Sequence, residues 1–272
     1  MNQRDFIDKI RAEAASLSCA QGLYLVGSFG RGTEDAFSDI DLVAVVAQEN
    51  HEETAKEWNA LVKALDEIIY IKTHRFGATL INAITAHWLR IDLIIETPEA
   101  FLKRAQAYVR TLFERESLVK ALQESLPKPQ VDKEQLSGIV DEFIRMLGLG
   151  MVGAGRNEVF LLQTGTGMMR DLIAKFLIAA KALPDPGGML HPSKILDEEE
   201  MGFLQSLPLG GRSVSAQLEE QHLIARAFFP RAKRVCETYG IDWPDAFLSA
   251  TEAHLGVSLM DEFPMGARSK AK

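Results

Sequence analysis

The sequence predicts an α+β protein in two parts, a β-sheet half with flanking helices followed by an all-α half. Three observations predict it. Short apolar or alternating segments separated by turn residues occupy the first 125 residues. Beyond them every periodic segment repeats at helical spacing. Between the two lies ESLPKPQVDK, with two prolines and mixed charges, which reads as a linker or exposed loop. The expected division is residues 1–125 and 126–272.

The elements follow in order. Residues 4–18 read as an amphipathic helix, because Phe6, Ile7, Ile10, Ala14 and Leu17 share one helical face. LYLVGS is a short apolar strand ending in glycine, and SDIDLVAVV alternates before turning almost wholly apolar, as a mostly buried strand does. ETAKEWNALVKALDEI is helical, and IIYIKTH, ATLINAI and HWLRIDLIIE read as three further strands. In the second half, Leu136, Ile139, Val140, Phe143, Met146 and Leu147 keep the i, i+3, i+4, i+7 spacing, with Gly153 and Gly155 as a helix end. A second helix runs from about Glu158 to Leu183 before PDPGG stops it. A long one begins at SVSAQLEEQ, with a kink or break expected at Pro230, and WPDAFLSATEAHL is the last. Asp171 and Lys175 have the i, i+4 order that supports a helix beside Arg170. Met168 and Met169 are expected in the core, LDEEE at a solvated helix start, and the tail GARSKAK without structure.

Composition bounds the function. Cys19 and Cys236 stand far apart with no metal-type spacing, and no basic-then-apolar leader opens the chain, so a cytoplasmic setting is expected. The segment DLIAKFLIAAKAL is interrupted by Lys175 and Lys181, which speaks against a membrane span. A net charge of −8 disfavours tight binding to a nucleic-acid backbone and suits solubility or a cationic small substrate.

The stretch GSFGRGTEDAFSDIDLVAVV carries the chemistry. Its glycines, Gly27, Gly30 and Gly32, permit close approach of backbone N–H groups to phosphate oxygens. Their order is neither that of the dinucleotide fingerprint nor, lacking the lysine, that of the P-loop. Asp39 and Asp41 are two apart, so on a strand they project from one face. Carboxylates side by side repel unless a divalent cation such as Mg²⁺ holds them. Asp92 is the expected third. Leu89, Ile91, Leu93 and Ile95 form the apolar face of its strand, and Arg90, Asp92, Ile94 and Glu96 the other. A lone carboxylate among apolar neighbours is costly without a partner, and an ion pair is the alternative reading. Glu96, nearer the strand end, is expected to be exposed, and His87 with Trp88 to form a partly buried pair.

Gly27, Ser28, Ser38, Asp39 and Asp41 together resemble the signature of the DNA polymerase β-like nucleotidyltransferase superfamily: glycine-serine, a short spacer, then Asp-x-Asp. The helical second half resembles, in architecture and length, the small-molecule branch that includes lincosamide and aminoglycoside nucleotidyltransferases. The resemblance implies a nucleotidyltransferase core at residues 1–125, with a mixed twisted sheet, and a helical substrate-binding bundle at 126–272. It implies transfer of a nucleoside monophosphate, AMP from ATP leading, to a hydroxyl of a small acceptor, cationic ones included, such as an aminoglycoside or lincosamide. It implies a two-metal Mg²⁺ mechanism with pyrophosphate release, the ions held by Asp39, Asp41 and Asp92, with Asp92 as third ligand, as base, or as both. Gly27, Ser28, Arg31 and Ser38 would be nucleotide-binding, although Arg31 also reads as a solvated loop arginine and Ser38 as a turn residue. It also admits a homodimer whose second chain completes the site. The rival from another class is a regulatory, antitoxin-like module binding a protein partner. The long helical half speaks against it, as does the lack of a histidine separated by four to six residues from Arg145, Arg156 or Arg170.

Overall fold

The computed structural model describes residues 2–184 and 191–260. It divides into two compact units, Met1–Pro127 and Lys128–Lys272. The expected unstructured tail Gly266–Lys272 and most of PDPGG lie outside the described residues.

In the first unit, β1 (Gly22–Leu25), β2 (Ile40–Val45), β3 (Ile68–Phe76), β4 (Ala78–Thr85), β5 (Arg90–Glu96) and β6 (Arg110–Glu114) form one sheet in the order β3-β4-β5-β2-β1-β6. It is mixed, because β2 and β5 run parallel while the other neighbours are antiparallel. β6 is an addition to the five expected strands. It pairs with β1 across a register shift, and its residues are largely solvated, so no apolar alternation announces it.

Alternation along the strands sorts residues to two faces. Leu23, Leu25, Ile40, Leu42, Ala44, Ile81, Ala83, Ile91, Leu93 and Ile95 pack with Phe6, Ile7 and Ile10 of α1 (Gln3–Glu13) and with Trp58, Leu61 and Val62 of α3 (His51–Leu65). α1 is capped by Asn2, whose side chain accepts from Asp5 N at 2.9 Å. The helix expected through residue 18 ends in a 3-10 turn at Ala14–Ser16, which still buries Ala14. On the other face Tyr24, Val26, Val43 and Val45 pack with Phe101, Val109 and Leu122. Phe101 ends the short α4 (Pro98–Phe101), whose cap is Thr97. Asp41, Asn82 and Asp92 have the parity of this second face and are half-buried there. The short α2 (Gly27–Arg31) follows β1 after the single residue Val26.

The second unit contains α5 (Lys133–Gly155), α6 (Val159–Ala180), α7 (Glu198–Ser206), α8 (Val214–Tyr239) and α9 (Asp245–Leu255). Its core gathers Phe143, Phe176, Phe228 and Phe229, with Phe228 centred 4.7 Å from Phe143 and 5.2 Å from Phe176. α8 remains helical through Pro230, so the break expected there is absent. Phe228, Phe229, Ala232 and Cys236 are buried on both sides of the proline, and their packing outweighs the missing N–H. Asp197 and Glu200 form a capping box at the start of α7, as LDEEE implied. Asp171 and Lys175 pair at 2.6 Å, and Arg170 donates to the carbonyls of Leu207 and Pro208, so this trio serves the bundle. Met169 is buried, but Met168 is exposed, one residue around the helix and away from the core. Glu142 is taken up by Arg145 at 2.6 Å. Among the described residues no helix is long and apolar enough to cross a membrane.

Phe228→Ala is expected to lower the stability of the helical unit by about 3–5 kcal/mol, the usual cost of truncating a fully buried Phe. Urea unfolding followed by Trp243 fluorescence, a ring 6.0 Å from Phe229, reads it. An unchanged midpoint would refute this placement of the core.

Candidate functional site

The site is built from the turn after β1 and from two parallel strands. Gly27 opens α2 with φ +59°, a conformation that suits glycine. A Cβ placed there would fall onto Asp41 Oδ2, so the position also needs the space. Val26 N donates to Asp41 O at 2.9 Å and ties the turn to β2. Gly32 closes α2 in the left-handed region, at φ +72°.

The loop into β2 is held by its own side chains. Asp35 N donates to Ser38 Oγ at 3.0 Å and Ser38 Oγ donates to Asp35 Oδ1 at 3.2 Å. Gln3 Nε2 donates to Ser38 O at 2.6 Å and to Asp35 O at 3.1 Å. Ser38 therefore anchors the turn through its hydroxyl and its carbonyl. Asp39 precedes β2 and Asp41 lies within it.

Asp41 and Asp92 are register partners on the parallel pair β2 and β5. Ligand oxygens of Asp39, Asp41 and Asp92 all lie within 4.8 Å of one another. Arg90 Nη2 stands 3.2 Å from Asp39 Oδ2. Asn82 is the register partner of Asp92 on the other side, and its Nδ2 donates to Asp92 Oδ1 at 2.7 Å. The crowding shows in the acidities. Burial, then the charges of Asp39 and Asp92, push Asp41 up to about 6, against the pull of Arg31 and Arg90. Burial also raises Asp92, opposed by the Asn82 hydrogen bond. Ser28 Oγ, at the start of α2, is a buried hydroxyl with no hydrogen-bond partner. Such an orphan in a polar turn invites an acceptor from outside the chain. Three convergent carboxylates are the hard oxygen donors that Mg²⁺ takes, so the residues fit that ion.

The structure thus brings Gly27, Asp39, Asp41 and Asp92 together, with Ser28 next in chain and Arg31 near enough to act on Asp41. Two expectations about the Asp92 strand fail. Glu96 is buried, because Arg104 Nε and Nη2 close on its two oxygens at 2.8 and 2.9 Å. His87 and Trp88 are both exposed, in a turn that precedes β5 rather than in the strand. Asn82 went unnoticed in the sequence. An amide inside the apolar run ATLINAI, at the parity opposite Ile81 and Ala83, was the available signal.

Residues 7–86 match the family model of the nucleotidyltransferase domain. Among solved structures the chain is similar to an aminoglycoside 6-adenyltransferase from Bacillus subtilis, at 14% identity and TM-score 0.43, over 94% of this chain and 98% of that one. It is similar to a nucleotidyltransferase-like protein from Exiguobacterium sibiricum 255-15, at 14% identity and TM-score 0.37, over 94% and 89%. It also aligns with Cid1 in complex with its short product ApU, at 14% identity and TM-score 0.29, over 82% and 66%. A search among curated proteins finds no match.

Proposed function

We propose that this chain, a transferase whose residues 7–86 form a nucleotidyltransferase domain, moves a nucleoside monophosphate from a nucleoside triphosphate to a hydroxyl of a small molecule. AMP from ATP is the leading donor. An aminoglycoside- or lincosamide-type acceptor is the class that the resemblance implies. The observation that carries the proposal is the convergence of ligand oxygens of Asp39, Asp41 and Asp92 within 4.8 Å of one another. The Gly27 turn lies against Asp41.

Each residue has a physical task. Ser28 Oγ donates to a phosphate oxygen, and Gly27 lets the backbone approach the triphosphate. Arg31 offsets its negative charge. Asp39, Asp41 and Asp92 would hold Mg²⁺, which supplies charge neutralisation at the phosphates and lowers the pKa of a hydroxyl beside it. Asp92 accepts the acceptor's proton. Asn82 occupies Asp92 Oδ1 and so fixes the carboxylate's rotation. The acceptor oxygen forms a bond to the α-phosphorus as the bond from that phosphorus to the bridging oxygen breaks. Pyrophosphate leaves with the electron pair, and the proton ends on Asp92.

A pyrophosphate-release screen tests this, crossing each nucleoside triphosphate and Mg²⁺ with a panel of hydroxylated acceptors. Release by the wild type and not by Asp39→Asn is expected. Equal release by both would overturn the assignment, and no turnover with a helical protein co-purifying would favour the antitoxin-like module.

The acidity of Asp41 adds a pH dependence. A metal ligand must be deprotonated, so protons compete below the carboxylate's pKa of about 6. Calorimetric titration with Mg²⁺ is expected to show affinity level above pH 7 and about tenfold below that plateau by pH 5. A flat profile through that window would contradict it.

A further inference from the structure

A cavity of about 310 Å³ opens on the first unit, lined by Gln3, Phe37, Ser38, His87, Trp88 and Arg90 among others. Arg90 connects it to the carboxylate cluster, since the same side chain pairs with Asp39 at 3.2 Å. Two large rings stand in water at this cleft: Phe37 is 86% exposed and Trp88 73%.

Neither ring sits on a loose segment. Trp88 holds φ +61°, a conformation that bulky residues rarely adopt and that surrounding structure must enforce. Its N–H donates to Thr85 O at 2.9 Å, Leu89 N donates to Thr85 Oγ1 at 3.2 Å, and Thr85 N donates to Leu89 O at 3.0 Å. Phe37 N donates to Asp35 Oδ1 at 3.0 Å, within the turn that Gln3 clamps. Aromatic side chains on a backbone held in place, with only two χ angles each, offer stacking area at low entropic cost. The charge of the cleft selects further. Among the described lining residues there is no Asp or Glu, and the Arg90 guanidinium is paired to Asp39 at 3.2 Å. The described lining therefore offers a polycation no free carboxylate, whereas a flat ring would meet the apolar surfaces of Phe37 and Trp88.

We propose that the Phe37–Trp88 cleft seats the acceptor, and that the acceptor is a hydroxyl compound carrying a flat, uncharged or anionic ring rather than a polycation. This rests on the transfer reading above and narrows its acceptor, setting aside the polycationic aminoglycosides named there.

The test uses the full chain and para-nitrophenyl glucoside, a flat-ringed hydroxyl probe that is not a nucleotide, with spermidine as the polycation. Binding is measured calorimetrically without metal or nucleotide, then as steady-state KM with nucleoside triphosphate and Mg²⁺. The glucoside is expected to bind the wild type and spermidine to bind weakly or not at all. Trp88→Ala and Phe37→Ala are each expected to weaken glucoside binding about 5- to 150-fold, the range for loss of one stacking ring. Trp88→Phe restores most of it. In turnover, the acceptor KM rises while the nucleotide KM holds. Unchanged glucoside affinity in both alanine variants, tighter binding of spermidine than of glucoside, or a rise in the nucleotide KM instead would each overturn the proposal. If the binding pattern holds and no nucleoside triphosphate supports transfer to any acceptor, the ring-binding cleft stands and the transferase assignment of the carboxylates falls.

Discussion

Asp41→Asn is expected to cut transfer by at least about 10²–10³-fold, the loss typical when one preorganised charge-stabilising group is removed. The same change is expected to stabilise the fold at neutral pH. The reason is linkage. Asp41 has its pKa raised from 3.8 to about 6, so the folded protein binds more protons than the unfolded chain across that interval. Stability therefore falls as pH rises through it, and at pH 7 the ionised carboxylate is a net cost. Asparagine keeps the shape and removes the charge. After discounting for solvent screening the gain is about 1–2 kcal/mol, which raises Tm by a few degrees. Near pH 4, where Asp41 is already protonated in the folded state, the gain should vanish. Mg²⁺ should raise the Tm of the wild type and not of the variant, since only the former holds it tightly. Thermal melts at both pH values, with and without Mg²⁺, decide the matter. A variant that melts lower at pH 7, or that keeps wild-type transfer, would remove the carboxylate cluster from its role.

Gly27→Ala should lose transfer on a similar scale and move stability in the opposite direction. A non-glycine residue at φ +59° costs about 1–2 kcal/mol, and the added methyl collides with the Asp41 carboxylate. Asp41 must swing aside or the turn must shift, and either change spoils the ligand set. The two variants are thus distinguished by sign: both are inactive, one melts higher and one lower. Gly27→Ala combined with Asp41→Ala should recover part of the lost stability, because the collision is gone while the backbone strain remains. Additive losses in that cycle would show that the two residues do not touch. Urea unfolding of the four proteins supplies the measurement.

Much of this was legible in the chain because it is written in local chemistry. Asp39 stands just before β2 and Asp41 within it, and their spacing of two residues alone brought both into view. Apolar alternation told Ile91, Leu93 and Ile95 from Asp92, and helical periodicity found α5, α6, α8 and α9. What local pattern does not carry is the identity of the partner. Glu96 and Asp92 share a face and a strand. One is neutralised by Arg104, eight residues on, and the other sits opposite Asp41 and Asn82. Pro230 should stop a helix in isolation, but buried neighbours on either side carry the chain past it.

The sequence by itself determined which residues could serve: a glycine where a side chain has no room, a serine beside it, and three carboxylates, two on strands and one at a strand's entry. The tertiary structure alone decided that β2 and β5 lie parallel with Asp41 opposite Asp92, that Asn82 braces the third carboxylate, and that Trp88 faces water. The physical reason is range. Backbone sterics and side-chain periodicity act between residues a few positions apart. Strand register, charge pairing and burial are set by segments that meet only after the sheet has closed.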